Sequence, residues 1–309
     1  MSREIHPAVG YGVDYGDGYA AVVRCARRGG RTTVVAESRD GAASAALARA
    51  IGVIATDQRR RRALVAAAVP AREILLRRIV APLASVAKAR RVLPSLLDVQ
   101  LPFPLDESVC AFPEVHPDGA GRVVALAAVA PKDVLARRVE QLRAAGFDPA
   151  VLAPEGLALW RGSAREAPPA DPAAARIVVY AGADRWTAAA GIGNAFRWTA
   201  TGAPPAGADP AAALAAAAPL LRRLRTDEEF RAAALEWRWC GPAIPEGAAR
   251  DAVERAVAED RAAIFRRHDE PAAVLARELA RSACDGGEAA GNLRMSELAA
   301  PDVVAWRAR

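Results

Sequence analysis

Two regimes of apolar and polar spacing alternate along the chain. Near the start, Val9-Gly-Tyr-Gly-Val-Asp-Tyr-Gly-Asp-Gly-Tyr19 is strand-like and interrupted by glycine, and it leads into Ala20-Ala-Val-Val-Arg-Cys25. Arg27-Arg-Gly-Gly30 is a turn signal and Thr32-Thr-Val-Val-Ala-Glu37 a second β-rich run, so a glycine-turned hairpin is expected. A short helix follows over 43–51, then buried strands over 63–69 and 73–80. From Ser85, a capping residue, Val86, Ala89, Leu93, Leu96 and Leu97 recur at helical spacing. Pro94 predicts a kink or restart in that helix. Segments 109–115 and 123–129 read as paired strands around His116-Pro-Asp-Gly119. Pro131, Leu135, Val139, Leu142 and Gly146 outline one amphipathic helix. The stretch 73–153 thus reads β-α-β-β-α-β, a split βαβ subdomain inserted in the chain.

Residues 162–175, rich in Pro, Ala and Gly, form the expected linker. Beyond it the opening logic repeats. Residues 176–190 read strand, glycine turn, strand. Gly191-Ile-Gly-Asn194 is a tight turn before a third strand over 195–200. Helices are expected over 210–225 and 227–235, then a strand over 237–240, a turn over 241–247 and a helix over 248–260. Trp186 and Trp198 fall on second-half strands and read as core. Trp237 and Trp239 share one strand face, with Glu236 and Arg238 on the other, which predicts a half-exposed edge strand.

Composition narrows the function classes. The 309 residues suffice for two domains, and the 25% charged fraction with ample Leu, Val and Ile excludes a disordered chain. Net charge is +6, too mild for a dedicated nucleic-acid binder. Of the 42 basic residues only Lys88 and Lys132 are lysines, and alanine fills roughly a quarter of the chain, a bias of genomic composition more than of function. Arg59-Arg-Arg-Arg62 reads as a solvated face. No apolar run reaches the ~18–20 residues of a membrane span, and the first residues lack a signal-peptide core, so a cytoplasmic protein is expected. Cys25, Cys110, Cys240 and Cys284 form no CxxC pair, which speaks against a zinc knuckle or disulfide framework. A Walker A loop is absent, and His6, His116 and His268 have no catalytic partner at motif spacing.

The duplicated strand–turn–strand pattern resembles the actin-like ATPase superfamily, in which each lobe opens with a hairpin around the nucleotide phosphates. The first such turn would be Asp14-Tyr15-Gly16 with Asp17-Gly18, and the second Tyr180-Ala181-Gly182 followed by Thr187. Gly241-Pro-Ala-Ile-Pro-Glu-Gly247 is similar to the adenosine-binding turn of that superfamily. Within the insertion, Arg77-Arg-Ile-Val-Ala-Pro82, Leu93-Pro94-Ser-Leu-Leu97 and Leu101-Pro-Phe-Pro-Leu-Asp-Glu107 resemble type II secretion system protein L and type IV pilus assembly protein M. The segment Gly291-Asn-Leu-Arg-Met-Ser-Glu-Leu-Ala299 is similar to the one preceding the membrane helix of protein L, with Ser296 in place of its glycine and no membrane helix before Arg309.

The resemblance implies an α/β, two-lobed actin-like fold. Lobe 1 would span 1–161 with its inserted β-α-β-β-α-β subdomain, and lobe 2 would span 176–309. It implies a scaffold at the cytoplasmic face of the inner membrane, coupling the hexameric secretion ATPase to the inner-membrane platform, with a homodimer as a further option. The nucleotide residues implied are Asp14, Gly16, Gly18, Gly182, Thr187, Gly241 and Gly247. The site reads as vestigial. Tyr180 stands where a second-lobe aspartate normally helps hold Mg²⁺, Asp17 would repel phosphate, and Pro242 removes an N–H from the adenosine turn. No cofactor, catalytic residue or metal is therefore expected, although ATP and Mg²⁺ binding is kept as the competing reading, in an ATP-binding pilus protein M-like chain or a small-molecule kinase of the same fold. Trp237, Trp239, Asn292 and Leu293 are the expected partner-binding residues.

Overall fold

The glycine-turned hairpin expected at the start is present in the computed structural model, which describes residues 8–16, 18–29, 31–38, 44–60, 62–168, 171, 173–203, 209–259, 262–285 and 293. Strands β1 (Val9–Gly16), β2 (Tyr19–Ala26) and β3 (Thr32–Ser38) form an antiparallel meander. Helix α1 (Ala45–Arg59) follows, capped by the Ser44 hydroxyl, and then β4 (Ala63–Val69) returns parallel to β1. The helix runs past the expected 43–51 because Leu47, Ala50 and Ile54 continue one buried stripe.

The inserted subdomain is a three-stranded sheet, β5 (Leu75–Ala81), β6 (Ser108–Pro117) and β7 (Val123–Pro131), ordered β5-β7-β6, with helices α2 (Val86–Asp98) and α3 (Lys132–Ala144). Helix α2 passes through Pro94 unbroken, its buried Ala89, Leu93 and Leu97 holding it on the sheet. The last strand expected of the insertion, β8 (Val151–Pro154), instead pairs with β4, so the lobe 1 sheet runs β3-β2-β1-β4-β8.

Lobe 2 repeats that order. Strands β9 (Ala175–Ala181), β10 (Trp186–Ile192), β11 (Ala195–Gly202), β12 (Leu235–Cys240) and β13 (Ala263–Arg267) form a sheet ordered β11-β10-β9-β12-β13. Helices α5 (Pro210–Thr226), the short α6 (Glu228–Ala232) and α7 (Ala248–Ala258) intervene. Each lobe is thus an antiparallel hairpin pair extended by two parallel strands, one motif built twice.

Two helices cross between the lobes. Helix α4 (Glu155–Glu166) leaves β8 of lobe 1 and packs on β9, β10 and β11 of lobe 2. Helix α8 (Val274–Cys284) leaves lobe 2 and packs on β1, β2 and β4 of lobe 1. The expected linker 162–175 is therefore helical over 162–166, where Gly162 meets Val274 and Glu278 of α8. Helix α8 lies so close to β1 that a Cβ on Gly12 would stand 1.9 Å from the Ala276 carbonyl oxygen. Only glycine allows this approach.

Candidate functional site

The tips of the two glycine hairpins face each other across the lobes. Asp14 sits near the end of β1 and Tyr180 near the end of β9, and both are buried. The Tyr180 hydroxyl donates to Asp14 Oδ2 at 2.6 Å. Through its hydroxyl, Tyr180 of lobe 2 thus closes on the first-lobe carboxylate. Burial pushes the Asp14 carboxyl up to about 6, against the opposing pull of Arg185, the Tyr180 hydrogen bond and Arg138. Burial, with Asp14 beside it, pushes the Tyr180 phenol well above its ordinary value.

A second contact closes the same cleft. Arg185, in the turn between β9 and β10, points its guanidinium at Glu155, the first residue of α4. Its Nε donates to Glu155 Oε1 at 2.8 Å, and Nη2 meets the same oxygen. The other Glu155 oxygen accepts from Thr187 Oγ1 at 2.9 Å and from the Ala71 amide at 2.8 Å. A carboxylate at a helix N-terminus is stabilised by the helix dipole, and this one is completely buried. Arg185 also bonds Asp184 at 2.8 Å and stacks over the Tyr180 ring, 5.5 Å to the centroid. From lobe 1, Arg138 on α3 donates to the Ala68 and Tyr15 carbonyls at 3.0 and 2.9 Å. Three carboxylates, Asp14, Glu155 and Asp184, stand beside two guanidiniums, Arg138 and Arg185, and every one is held by protein groups.

Most of the residues implied for a nucleotide are engaged by protein groups. The Asp14 carboxyl is bonded to Tyr180, and the guanidinium of Arg185 to Glu155 and Asp184. Thr187 is spent on Glu155. Gly182 is packed against Tyr180 and the Arg185 carbonyl, and Gly16 against Asp184 and Arg185. A Cβ on Gly241 would stand 2.3 Å from the Ala181 carbonyl oxygen, which accepts from the Ala243 amide at 2.9 Å. The Gly241 N–H donates to the Pro271 carbonyl at 2.7 Å, so the turn over 241–247 is stitched to β9 and to the segment before α8. Gly18 and Gly247 have open space around them and positive φ of 76° and 54°, which ties them to turn geometry. Asp17 lies outside the described residues. Glu155, Arg138 and Arg185 escaped the sequence reading; the signal was a charged residue directly beside a buried strand at Pro154-Glu155 and at Asp184-Arg185.

The expected partner-binding residues need correction. Strand β12 is not an edge: it lies between β9 and β13, with Trp237 and Trp239 buried beneath α5 and α7. Their rings stack edge to face at 5.3 Å, and Trp239 Nε1 donates to Glu254 at 2.9 Å. The paired faces read correctly, but Glu236 and Arg238 are buried too, in a cluster with Arg176. Leu293 is also core; its amide donates to the Leu152 carbonyl at 2.9 Å on the edge of β8. Asn292 and His6 lie outside the described residues.

His268 does have partners. Its Nε2 is 3.0 Å from Ser163 Oγ and its Nδ1 3.5 Å from Glu166, both on α4, while Arg277 of α8 reaches Glu166 at 3.4 Å. The set has the residue types of a hydrolytic triad. Ser163 is wholly buried, however, so the cluster fastens the end of β13 to the crossed helices. Among the described residues no group of His, Cys, Asp and Glu could hold a metal, and no helix is long and apolar enough to cross a membrane.

No family model matches the chain, and no curated protein matches its sequence. Solved structures do share its fold. A chain of the PilM–PilN type IV pilus biogenesis complex superposes with a TM-score of 0.57 at 18% identity, covering 92% of this chain and 97% of that one. The cytoplasmic domain of EpsL, an inner membrane component of the type II secretion system of Vibrio cholerae, gives 0.46 at 13% identity over 82% and 96%. A Bacteroides thetaiotaomicron protein with actin-like ATPase fold and unknown function gives 0.46 at 6% identity over 90% and 98%. The protein has the two-lobed actin-like ATPase fold with an inserted subdomain, as expected from its sequence. At this identity the likeness is one of fold.

Proposed function

We propose that this chain is a non-hydrolysing actin-like scaffold of a type IV pilus or type II secretion machine. It would work at the cytoplasmic face of the inner membrane and link the secretion ATPase to the membrane platform by protein–protein contact. The observation that carries this reading is the latched cleft. Where an actin-like ATPase would hold phosphate and metal, Tyr180 is bonded to Asp14 and Arg185 to Glu155. A fold whose lobes are closed by its own side chains needs no nucleotide to fix their relation, and it offers rigid outer surfaces for partners. The fold likeness to a chain of a pilus biogenesis complex supports the choice of machine.

The scaffold reading is tested by affinity capture of the secretion ATPase on the purified chain, with and without Mg-ATP. The expected result is capture that does not depend on nucleotide and survives Asp14→Asn. Failure to capture the ATPase, together with phosphoryl transfer to a small molecule, would instead establish a kinase of this fold.

A further inference from the structure

We infer that the outer edge of β13 is a docking site for an extended acidic peptide strand. The other sheet edges are less open. Strand β3 is bulged against β2 and β11 lies beside β5. The edge of β8 takes the Leu293 amide, and β6 carries Pro113 and Pro117. Strand β13 is paired with β12 on one side only, in regular parallel register. Its Ile264 is 58% exposed, the second most exposed large apolar side chain among the described residues. On the other face, Phe265 floors a surface groove of about 340 Å³ whose far wall is Asp251, Glu254, Arg255 and Ala258 of α7. An added strand would meet backbone donors and acceptors along its length, an apolar floor on one face and Ile264 on the other, which is how strand addition combines affinity with side-chain selection.

Charge selects the occupant. Glu254 is engaged by Trp239 and lies 3.7 Å from Arg250, and Asp251 is 4.0 Å from Arg250. Arg255, Arg266 and Arg267 are exposed and have no ion pair among the described residues. Along the strand itself the free charge is positive. With Arg255, the three arginines outnumber the nearest exposed acids that have no ion pair among the described residues, Glu259 and Asp269. A second copy pairing edge to edge would bring Arg266 and Arg267 against their own kind, which like charges on facing strands disfavour. A strand bearing Glu or Asp at alternate positions meets the same arginines as partners. The edge is also anchored, because the residue after β13, His268, is bonded to α4.

The test uses acetylated seven-residue peptides alternating glutamate with valine, leucine or phenylalanine, and matched peptides with lysine for glutamate. Binding is followed by fluorescence polarisation, and backbone amide exchange reports the site. The expected result is saturable binding of an acidic peptide, little binding of its lysine counterpart, and slowed exchange over 263–267. Arg266→Glu combined with Arg267→Glu, both exposed, should weaken binding by roughly tenfold or more with thermal unfolding unchanged. Equal binding of both peptide types, binding retained by the double variant, unchanged exchange at β13, or no binding by any acidic peptide would each overturn the assignment. None of these outcomes depends on the secretion or pilus reading, so the two can fail separately.

Discussion

The carboxyl of Asp14 has almost no water around it and a phenol 2.6 Å away. Removing the phenol hydroxyl with Tyr180→Phe leaves a buried acceptor short of one donor. It should cost about 1–3 kcal/mol in urea unfolding. The titration of Asp14 has a definite sign. Its folded value, about 6, lies above its ordinary 3.8, so the folded state holds the proton more tightly than the unfolded one. This group therefore favours the fold most below pH 4, and that contribution is lost as pH rises from 4 to 6. Two pH units correspond to about 3 kcal/mol at most. Other carboxylates add their own slopes, so the quantity to measure is the difference between wild type and Asp14→Asn. Unfolding free energies should diverge between pH 4 and 6 and run parallel above pH 7; parallel curves throughout would contradict the buried, proton-retaining carboxyl.

Elements with strong periodicity were legible in the sequence, whereas those defined by long-range contact were not. The hairpins of both lobes, β4, β7, α3 and α5 lie close to where glycine turns and apolar spacing place them. Helices α4 and α8 were missed, for a physical reason. Each is buried on nearly all sides between the lobes although its sequence carries charge, Arg161, Arg165 and Glu166 on α4 and Arg277, Glu278 and Arg281 on α8. All but Arg281, which faces Glu278 of its own helix, are taken up by partners distant in the chain or on the facing helix, which spacing alone does not announce. The edge assignment of β12 failed because β13 is short and carries two arginines, which hid a fifth strand. Two consequences follow at this scale. Leu279→Ala should cost about 2–5 kcal/mol, because α8 is walled in by both lobes. Trp237→Ala should cost about 3–5 kcal/mol in denaturant unfolding, as expected of a core anchor rather than a partner contact. A loss of partner binding with unchanged stability would restore the surface reading of that strand.

At the scale of the whole molecule, duplication was visible in the chain and closure was not. Nothing in the spacing of Asp14, Glu155, Tyr180 and Arg185 announces that they meet, since 166 positions separate Asp14 from Tyr180. Tyr180 stood out in the sequence as a phenol in a glycine turn, and the structure shows its hydroxyl bonded to Asp14. The central claim is that protein side chains hold the cleft shut without nucleotide. Calorimetric titration of the purified chain with Mg-ATP tests it most directly. The expected result is no binding heat for wild type up to millimolar nucleotide. Stoichiometric micromolar binding by wild type, abolished by Asp14→Ala, would contradict the account and make the protein a nucleotide-dependent member of its fold.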